Sequence, residues 1–249
     1  MKIIILSAGK GERLYPLTKN TPKPLLDMGY GKTLLEEQIE RIQKSGVIDN
    51  IVLVIGYLAE QIEEKIKYYE DKGIKITTVY NPFYDVSNNL ISLWFAKGEM
   101  NDSFLVTNGD NLFAVDVFVN FIRENTNGIY LSISRKNQFD NDDMKVKLNN
   151  ELVDFISKNI EPESAHAESP GLLLVEGERS VDLVKDELDK LARKPEHRNS
   201  YWLELPNSLV KKGIPIRAWE FDGMAKWQEV DIHLDITRAK KLLGISRSI

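Results

Sequence analysis

The first half of the chain alternates short apolar or β-branched runs with longer segments whose apolar residues recur at helical spacing, a pattern that points to a parallel sheet with crossover helices. Residues 2–7 and 51–55 read as continuous apolar strands. Between them Thr33, with Glu36 three residues on, forms a capping box opening a helix that runs to Gly46, its stripe made by Leu35, Gln38, Ile39 and Ile42. A second helix over about 58–72 carries Ile62, Ile66 and Tyr69 on one face and stops at Gly73, a residue suited to the left-handed C′ position. A strand over 74–80, a helix over 89–99, a strand over 103–108, a helix over 115–125 and a strand over 129–135 continue the alternation. It then breaks. Residues 144–148 and 151–156, joined by Asn149 and Asn150, predict an antiparallel hairpin. Beyond a loop rich in Glu, Ser and Pro at 161–170, the pattern predicts helices over 180–193 and 200–212, strands over 214–221 and 227–232, and a closing helix over 235–243. The expected class is α/β, with a mostly parallel sheet, helices on both faces and a small antiparallel elaboration.

A length of 249 residues suits one large domain, and no repeat, low-complexity tract or linker divides it. The net charge of -5 leaves no global positive field for nucleic acid or an anionic membrane. The absence of cysteine excludes disulfides, thiolate-bound metals and cysteine nucleophiles. The three histidines, His166, His197 and His233, are too scattered for a metal-ligand motif. The apolar run Ile3–Leu6 meets glycines at once and is neither a signal core nor a membrane span, so the expected location is the cytoplasm.

The segment Leu6-Ser7-Ala8-Gly9-Lys10-Gly11-Glu12-Arg13 leaves the first strand in a glycine-rich turn, where backbone N–H groups can approach an anion without Cβ obstruction. A dinucleotide fingerprint would need glycine where Leu14 stands and an acid where Gly56 closes the second strand. Gly31-Lys32-Thr33 imitates the end of a Walker A loop, but Leu26 replaces its first glycine. What remains is G-x-G-x-R followed by Pro22-Lys23-Pro24-Leu25-Leu26, so an arginine fork and a lysine charge join the glycines, a set suited to a triphosphate. Taken alone, the two glycines equally describe an ordinary βα turn.

Asp110 follows an apolar strand at the carboxyl edge, where open α/β sheets place ligands. Glu229 and Asp231 are two apart on a predicted strand and share one face with Trp227. Magnesium takes oxygen ligands and commonly one or two protein carboxylates, which Asp110 and Asp231 satisfy. The plainer reading is that Asp110 caps the next helix and that Glu229 and Asp231 are exposed.

These segments together resemble the nucleotidyltransferases that make nucleotide-activated sugars and phospho-alcohols. The resemblance continues through Gly56-Tyr57, Asn81, Ser87-Asn88-Asn89, Asn108-Gly109-Asp110, Met144-Lys145 and Trp227-x-Glu229-x-Asp231. Ser7 departs from the usual Ala or Gly. The Asn88-Asn89 element and short C-terminal half are similar to the cytidylyltransferase branch, which acts on phosphocholine, aminoethylphosphonate, inositol phosphate and related acceptors. The resemblance implies a Rossmann-like single domain over 1–249, with a nucleotide-binding half (1–135) and an acceptor-binding half (136–249). It implies CTP as donor, a small phosphate or phosphonate as acceptor, and Mg2+ held by Asp110 and Asp231. Arg13 and Lys23 become the catalytic cations; Leu6, Ala8, Gly9, Lys10, Gly11, Glu12, Asn81, Ser87, Asn88 and Asp110 join them in binding nucleotide. Lys145, Trp94, Glu168 and Glu229 are the candidates for the acceptor, with Lys158 behind them; for Lys145, solvent exposure is the plainer alternative. Trp202, at helical spacing from Leu205 and Leu209, reads as core. Uridylyl or thymidylyl transfer to a sugar-1-phosphate is the nearest alternative. A nucleotide-sugar-dependent glycosyltransferase would have no use for the glycine, Arg13 and Lys23 loop, and a non-catalytic nucleotide binder would not need the full constellation.

Overall fold

The computed structural model describes residues 1–231 and Arg238. The chain opens with β1 (Lys2–Leu6), and short 3-10 turns carry it to α1 (Leu34–Ser45). Next come β2 (Asn50–Ile55), α2 (Ala59–Glu70), β3 (Ile76–Tyr80), α3 (Asn89–Phe95), β4 (Phe104–Asn108), the short β5 (Asn111–Phe113), α4 (Val115–Arg123) and β6 (Gly128–Ile133). The second half contains the hairpin β7 (Lys145–Asn149) and β8 (Leu152–Ser157), then β9 (Ala167–Glu168), β10 (Leu172–Glu176) and α5 (Glu178–Ala192). It continues through α6 (Glu204–Lys211), β11 (Ile216–Glu220), α7 (Gly223–Lys226) and β12 (Trp227–Glu229).

One sheet runs β3-β2-β1-β4-β10-β6-β11-β8-β7-β9, and β12 pairs with β5 in a separate ribbon. In the main sheet β10, β8 and β9 run against the direction shared by the other strands. The result is the Rossmann-like α/β sheet that the sequence predicts. Alternation along β1 shows how both faces are covered. Ile4 and Leu6 pack with Leu90 and Leu93 of α3 and Leu188 of α5. Ile3 and Ile5 pack with Ile39 of α1, Ile62 of α2 and Phe121 of α4. Each such aliphatic side chain, removed from water, contributes about 1.5–3 kcal/mol, so the strand is secured from both sides.

The local signals are realised at α1. Thr33 accepts from the Glu36 N–H at 3.3 Å and Glu36 accepts from the Thr33 N–H at 2.8 Å, while Gly46 takes the left-handed conformation at the other end. Other boundaries differ. The helix expected over 89–99 is α-helical to Phe95 and finishes as a 3-10 turn, and that expected over 200–212 begins at Glu204. The strand expected over 227–232 ends at Glu229 and belongs to the ribbon. Three strands were not foreseen: β5, β9 and β10. The leucine-rich β10 fills the slot between β4 and β6, where apolar neighbours bury both its faces. Apart from Arg238, the helix expected over 235–243 lies outside the described residues. No helix among the described residues is long and apolar enough to cross a membrane.

Candidate active site

A cleft of about 1360 Å³ opens beyond the carboxyl ends of β1 and β4. Single-ligand sites commonly measure about 300–1,000 Å³, so this one has room for two substrates together. The glycine turn forms one wall. Gly11 has φ +65°, and a Cβ there would lie 3.1 Å from both the Lys23 Cβ and the Thr18 methyl, so glycine lets the Lys23 segment lie against the turn. The Thr18 hydroxyl donates to the Gly11 carbonyl at 2.9 Å, and the Tyr57 hydroxyl donates to the Lys19 carbonyl at 2.7 Å, which fixes the returning loop. Gly109 is a second close approach: a Cβ there would fall 2.0 Å from the Ser7 Oγ.

On the facing side, Asp110 follows β4 and its carbonyl accepts from the Val230 N–H at 2.9 Å. Glu229 lies opposite Asn111 in the ribbon. Backbone pairing thus brings together residues far apart in the chain, and oxygens of Asp110, Glu229 and Asp231 lie within 4.8 Å of one another. The Lys23 ammonium sits 2.9 Å from Asp110 and 2.6 Å from Asp231. Arg13 contacts Asp231 through Nη2 and Asp142, at 3.0 Å, through Nη1. Asp110 is therefore no helix cap; the N-terminus of α4 has no side-chain cap.

The charges explain the titration behaviour. Burial disfavours the Lys23 ammonium, but Asp110 and Asp231 outweigh it and raise the pKa. Arg13 follows the same pattern, with Asp231 the foremost of its opposing charges. Glu229 is pushed up to about 8, by burial first and then by the charges of Asp110 and Asp231. Oxygens of the three acids converge here, and the buried Asp110 Oδ1 has no hydrogen-bond partner among the described residues. Such an all-oxygen donor set suits a hard divalent cation.

Of the residues expected at the nucleotide, Leu6, Ala8, Gly9, Gly11, Glu12, Arg13, Lys23, Ser87, Asn88 and Asp110 line the cleft. Asn81 and Lys10 do not. Asn81 is fully buried, donating to the Ser92 hydroxyl and accepting from the Phe83 N–H, and so joins the turn after β3 to α3; Lys10 faces Asp85 at 3.9 Å. Asn88 also caps α3. Of the acceptor candidates, Glu168 and Glu229 line the cleft. Lys145 is neither there nor solvated: its ammonium donates to the carbonyls of Asp140, Asn141 and Asp143, the nearest at 2.9 Å. Trp94 turns away, donating to Asp189 of α5. Trp202 is core as expected, with its indole on Asn108.

Sequence reasoning missed Lys136, Asp142, Asp143 and Tyr201, which also line the cleft. Lys136 bridges Asp143 at 2.8 Å and Glu168 at 2.6 Å, and burial raises the pKa of Glu168 despite that partner. The position of Lys136 just past β6 was the available signal, because ligands gather at the carboxyl ends of such strands.

An open α/β sheet with a glycine turn, two buried or half-buried cations and a carboxylate cluster at its carboxyl edge defines a nucleotide-handling enzyme of the phosphoryl-transfer kind. The nucleotidyl transferase family model matches residues 2–141, and the chain belongs to that family. Among curated relatives, the choline-phosphate cytidylyltransferase of Streptococcus pneumoniae is 29% identical over 98% of both chains. The bifunctional IPC transferase and DIPP synthase of Aquifex aeolicus is 28% identical over 96% of this chain and 51% of that protein. Among solved structures, the CTP:phosphocholine cytidylyltransferase of Streptococcus pneumoniae superposes with a TM-score of 0.73 at 25% identity, over 97% of this chain and 98% of that one. The inositol-1-phosphate CTP transferase from T. maritima shares the fold, with a TM-score of 0.80 at 20% identity over 98% and 95% of the two chains.

Proposed function

We propose that this nucleotidyltransferase transfers CMP from CTP to a small phosphate or phosphonate acceptor and releases pyrophosphate. The observation that carries the reading is the Lys23 ammonium held between Asp110 and Asp231 at the foot of the glycine turn. Support for cytidylyl transfer comes from the end-to-end similarity to the choline-phosphate cytidylyltransferase.

In the reaction an acceptor oxygen forms a bond to the α-phosphorus, and the bond from that phosphorus to the β-phosphate oxygen breaks, its electron pair leaving with pyrophosphate. A phosphate monoester has a second pKa near about 6 and is mostly dianionic at neutral pH, so no general base is needed. The barrier is repulsion between anions, and positioning with charge neutralisation lowers it. Arg13 grips the triphosphate. Lys23 neutralises charge where the α-phosphate meets the acceptor. A magnesium ion held by Asp110 and Asp231, with Glu229 beside them, would supply further positive charge at the same place.

Tyr84, Tyr201 and Trp227 line the cleft, as do the acids Asp142, Asp143 and Glu168. Aromatic faces fit an amine or quaternary ammonium better than a ring of hydroxyls, a cation over a ring gaining about 0.5–2 kcal/mol, and the Lys158 ammonium already lies 5.7 Å from the centroid of the Tyr201 ring. Pyrophosphate release measured with CTP, UTP, dTTP and ATP tests the donor. Equal or better turnover with UTP or dTTP overturns the cytidylyl assignment. Phosphocholine, aminoethylphosphonate, inositol-1-phosphate and glucose-1-phosphate, compared under CTP, test the acceptor; preference for either of the last two overturns the cationic head group.

A further inference from the structure

Gln38 interrupts the apolar stripe of α1 formed by Leu35, Ile39 and Ile42, yet it is only 5% exposed. Burying an amide without compensation costs on the order of 1–3 kcal/mol, so the bonds it makes bear on why it is there. Its Nε2 donates to the Gly109 carbonyl at 3.1 Å and the Asn111 carbonyl at 2.8 Å, the carbonyls on either side of Asp110. Its Oε1 has no hydrogen-bond partner among the described residues. A methionine would fill similar space without an orphaned oxygen, so packing alone does not favour glutamine here. What glutamine adds is orientation of the turn that presents Asp110.

The same turn is held from its other sides. Asn111 donates through Nδ2 to the Pro170 carbonyl at 2.7 Å and the Thr107 hydroxyl at 3.2 Å. Its Oδ1 accepts from the Trp227 indole at 2.9 Å, on the strand that carries Glu229. The Asp110 carbonyl accepts from Val230. Gln38 reaches this assembly from α1 without itself lining the cleft.

We propose that Gln38 is a positioning residue: its two bonds to the backbone around Asp110 hold that carboxylate in the orientation needed beside Asp231. The proposal rests on the reading of Asp110 and Asp231 as metal ligands. Residues that orient ligands in this indirect way change metal affinity or activity by about 10–100-fold when replaced.

Mn2+ binding to the whole protein without nucleotide, followed by electron paramagnetic resonance, tests it alongside steady-state kinetics and thermal melting. Gln38→Met should weaken Mn2+ binding about tenfold and lower kcat, while the KM for CTP stays within about twofold because the glycine turn is untouched. In an Asp110→Asn background the same change should cause no further loss of Mn2+ affinity. A folded Gln38→Met protein with a lower Tm but unchanged Mn2+ affinity and kcat would show a purely structural role and overturn the proposal. Gln38→Asn, whose shorter amide cannot span both carbonyls, decides the question if the methionine variant fails to fold: weakened Mn2+ binding supports positioning and unchanged binding overturns it. Wild-type Mn2+ affinity in Asp110→Asn alone would instead overturn the metal assignment, and the positioning role with it.

Discussion

Lys23 and Lys145 are both almost wholly buried, at 9% and 1% exposure, and both are sequence candidates for touching a phosphate. The Lys23 ammonium faces the carboxylates of Asp110 and Asp231 inside the cleft. Lys145 does not line the cleft, and its ammonium faces the loop carbonyls of Asp140, Asn141 and Asp143. A lysine held by carboxylates can pass to an incoming phosphate when those acids engage a cation. Where loop carbonyls hold the lysine, leaving them would undo the loop. The environment of the charge, more than its burial, separates the lysine proposed for catalysis from the one that holds a loop.

The largest effect should come from the acids on the Lys23 side. Asp110→Asn or Asp231→Asn should lower turnover at least ~100-fold with an unchanged circular dichroism spectrum, since each removes charge from the site proposed to stabilise polyphosphate. Wild-type-like rates in both variants would remove the basis for contrasting the two regions.

The lysines themselves provide the direct contrast. Lys23→Ala should slow kcat by about 100-fold, and leaving two acids without their shared cation should also cost about 3 kcal/mol of stability. Lys145→Met should cost about 2–3 kcal/mol through lost charged hydrogen bonds while kcat changes less than about tenfold. Single-turnover kinetics and melting curves on both variants check this, and equal kcat losses would break the comparison.

Arg13→Ala sharpens it on the nucleotide side. The guanidinium is half exposed and its proposed partner is the triphosphate, so the KM for the triphosphate should rise about tenfold with kcat little changed. A kcat-dominated loss would exchange its role with that of Lys23.

A third lysine, Lys212 just past α6, pairs with Glu187 of α5 outside the cleft lining and gives the smallest effect. Burial pushes the Glu187 carboxyl up, but its bonds from Lys212 and Ser208 hold it below its ordinary 4.5. A carboxyl depressed by folding adds stability that is present above its unfolded pKa and lost as the pH falls through its folded value. Glu187→Gln should therefore lower stability by about 1 kcal/mol at pH 7, screening at the half-exposed Lys212 keeping the figure small. The deficit should shrink at pH 3, as melting curves at the two pH values would show, with kcat unaffected.

Much of the first half was legible because its signals are local. Thr33 and Glu36 cap a helix with atoms three residues apart, Gly11 supplies the positive φ that its turn uses, and Ile3 to Leu6 announce a strand covered on both faces. Asp110 was legible from its place after an apolar strand. The missed residues answer to distant partners instead: Lys136 is defined by Asp143 and Glu168, and Tyr201 by a wall of the cleft built from both halves of the chain.

By itself the sequence determined the α/β alternation, the glycine turn with Arg13 and Lys23, and the identity of the acids, since helix caps, turn residues and strand periodicity act within a few residues. Tertiary structure alone decided that Leu172–Glu176 is a strand between β4 and β6, because a run of leucines accepts either helix or strand and its neighbours' burial makes the choice. It also decided that residues 227–229 pair with 111–113, bringing Glu229 and Asp231 to Asp110. Strands of three residues carry too little local preference to select a partner more than a hundred positions away, so the packing of the rest of the chain selects it for them.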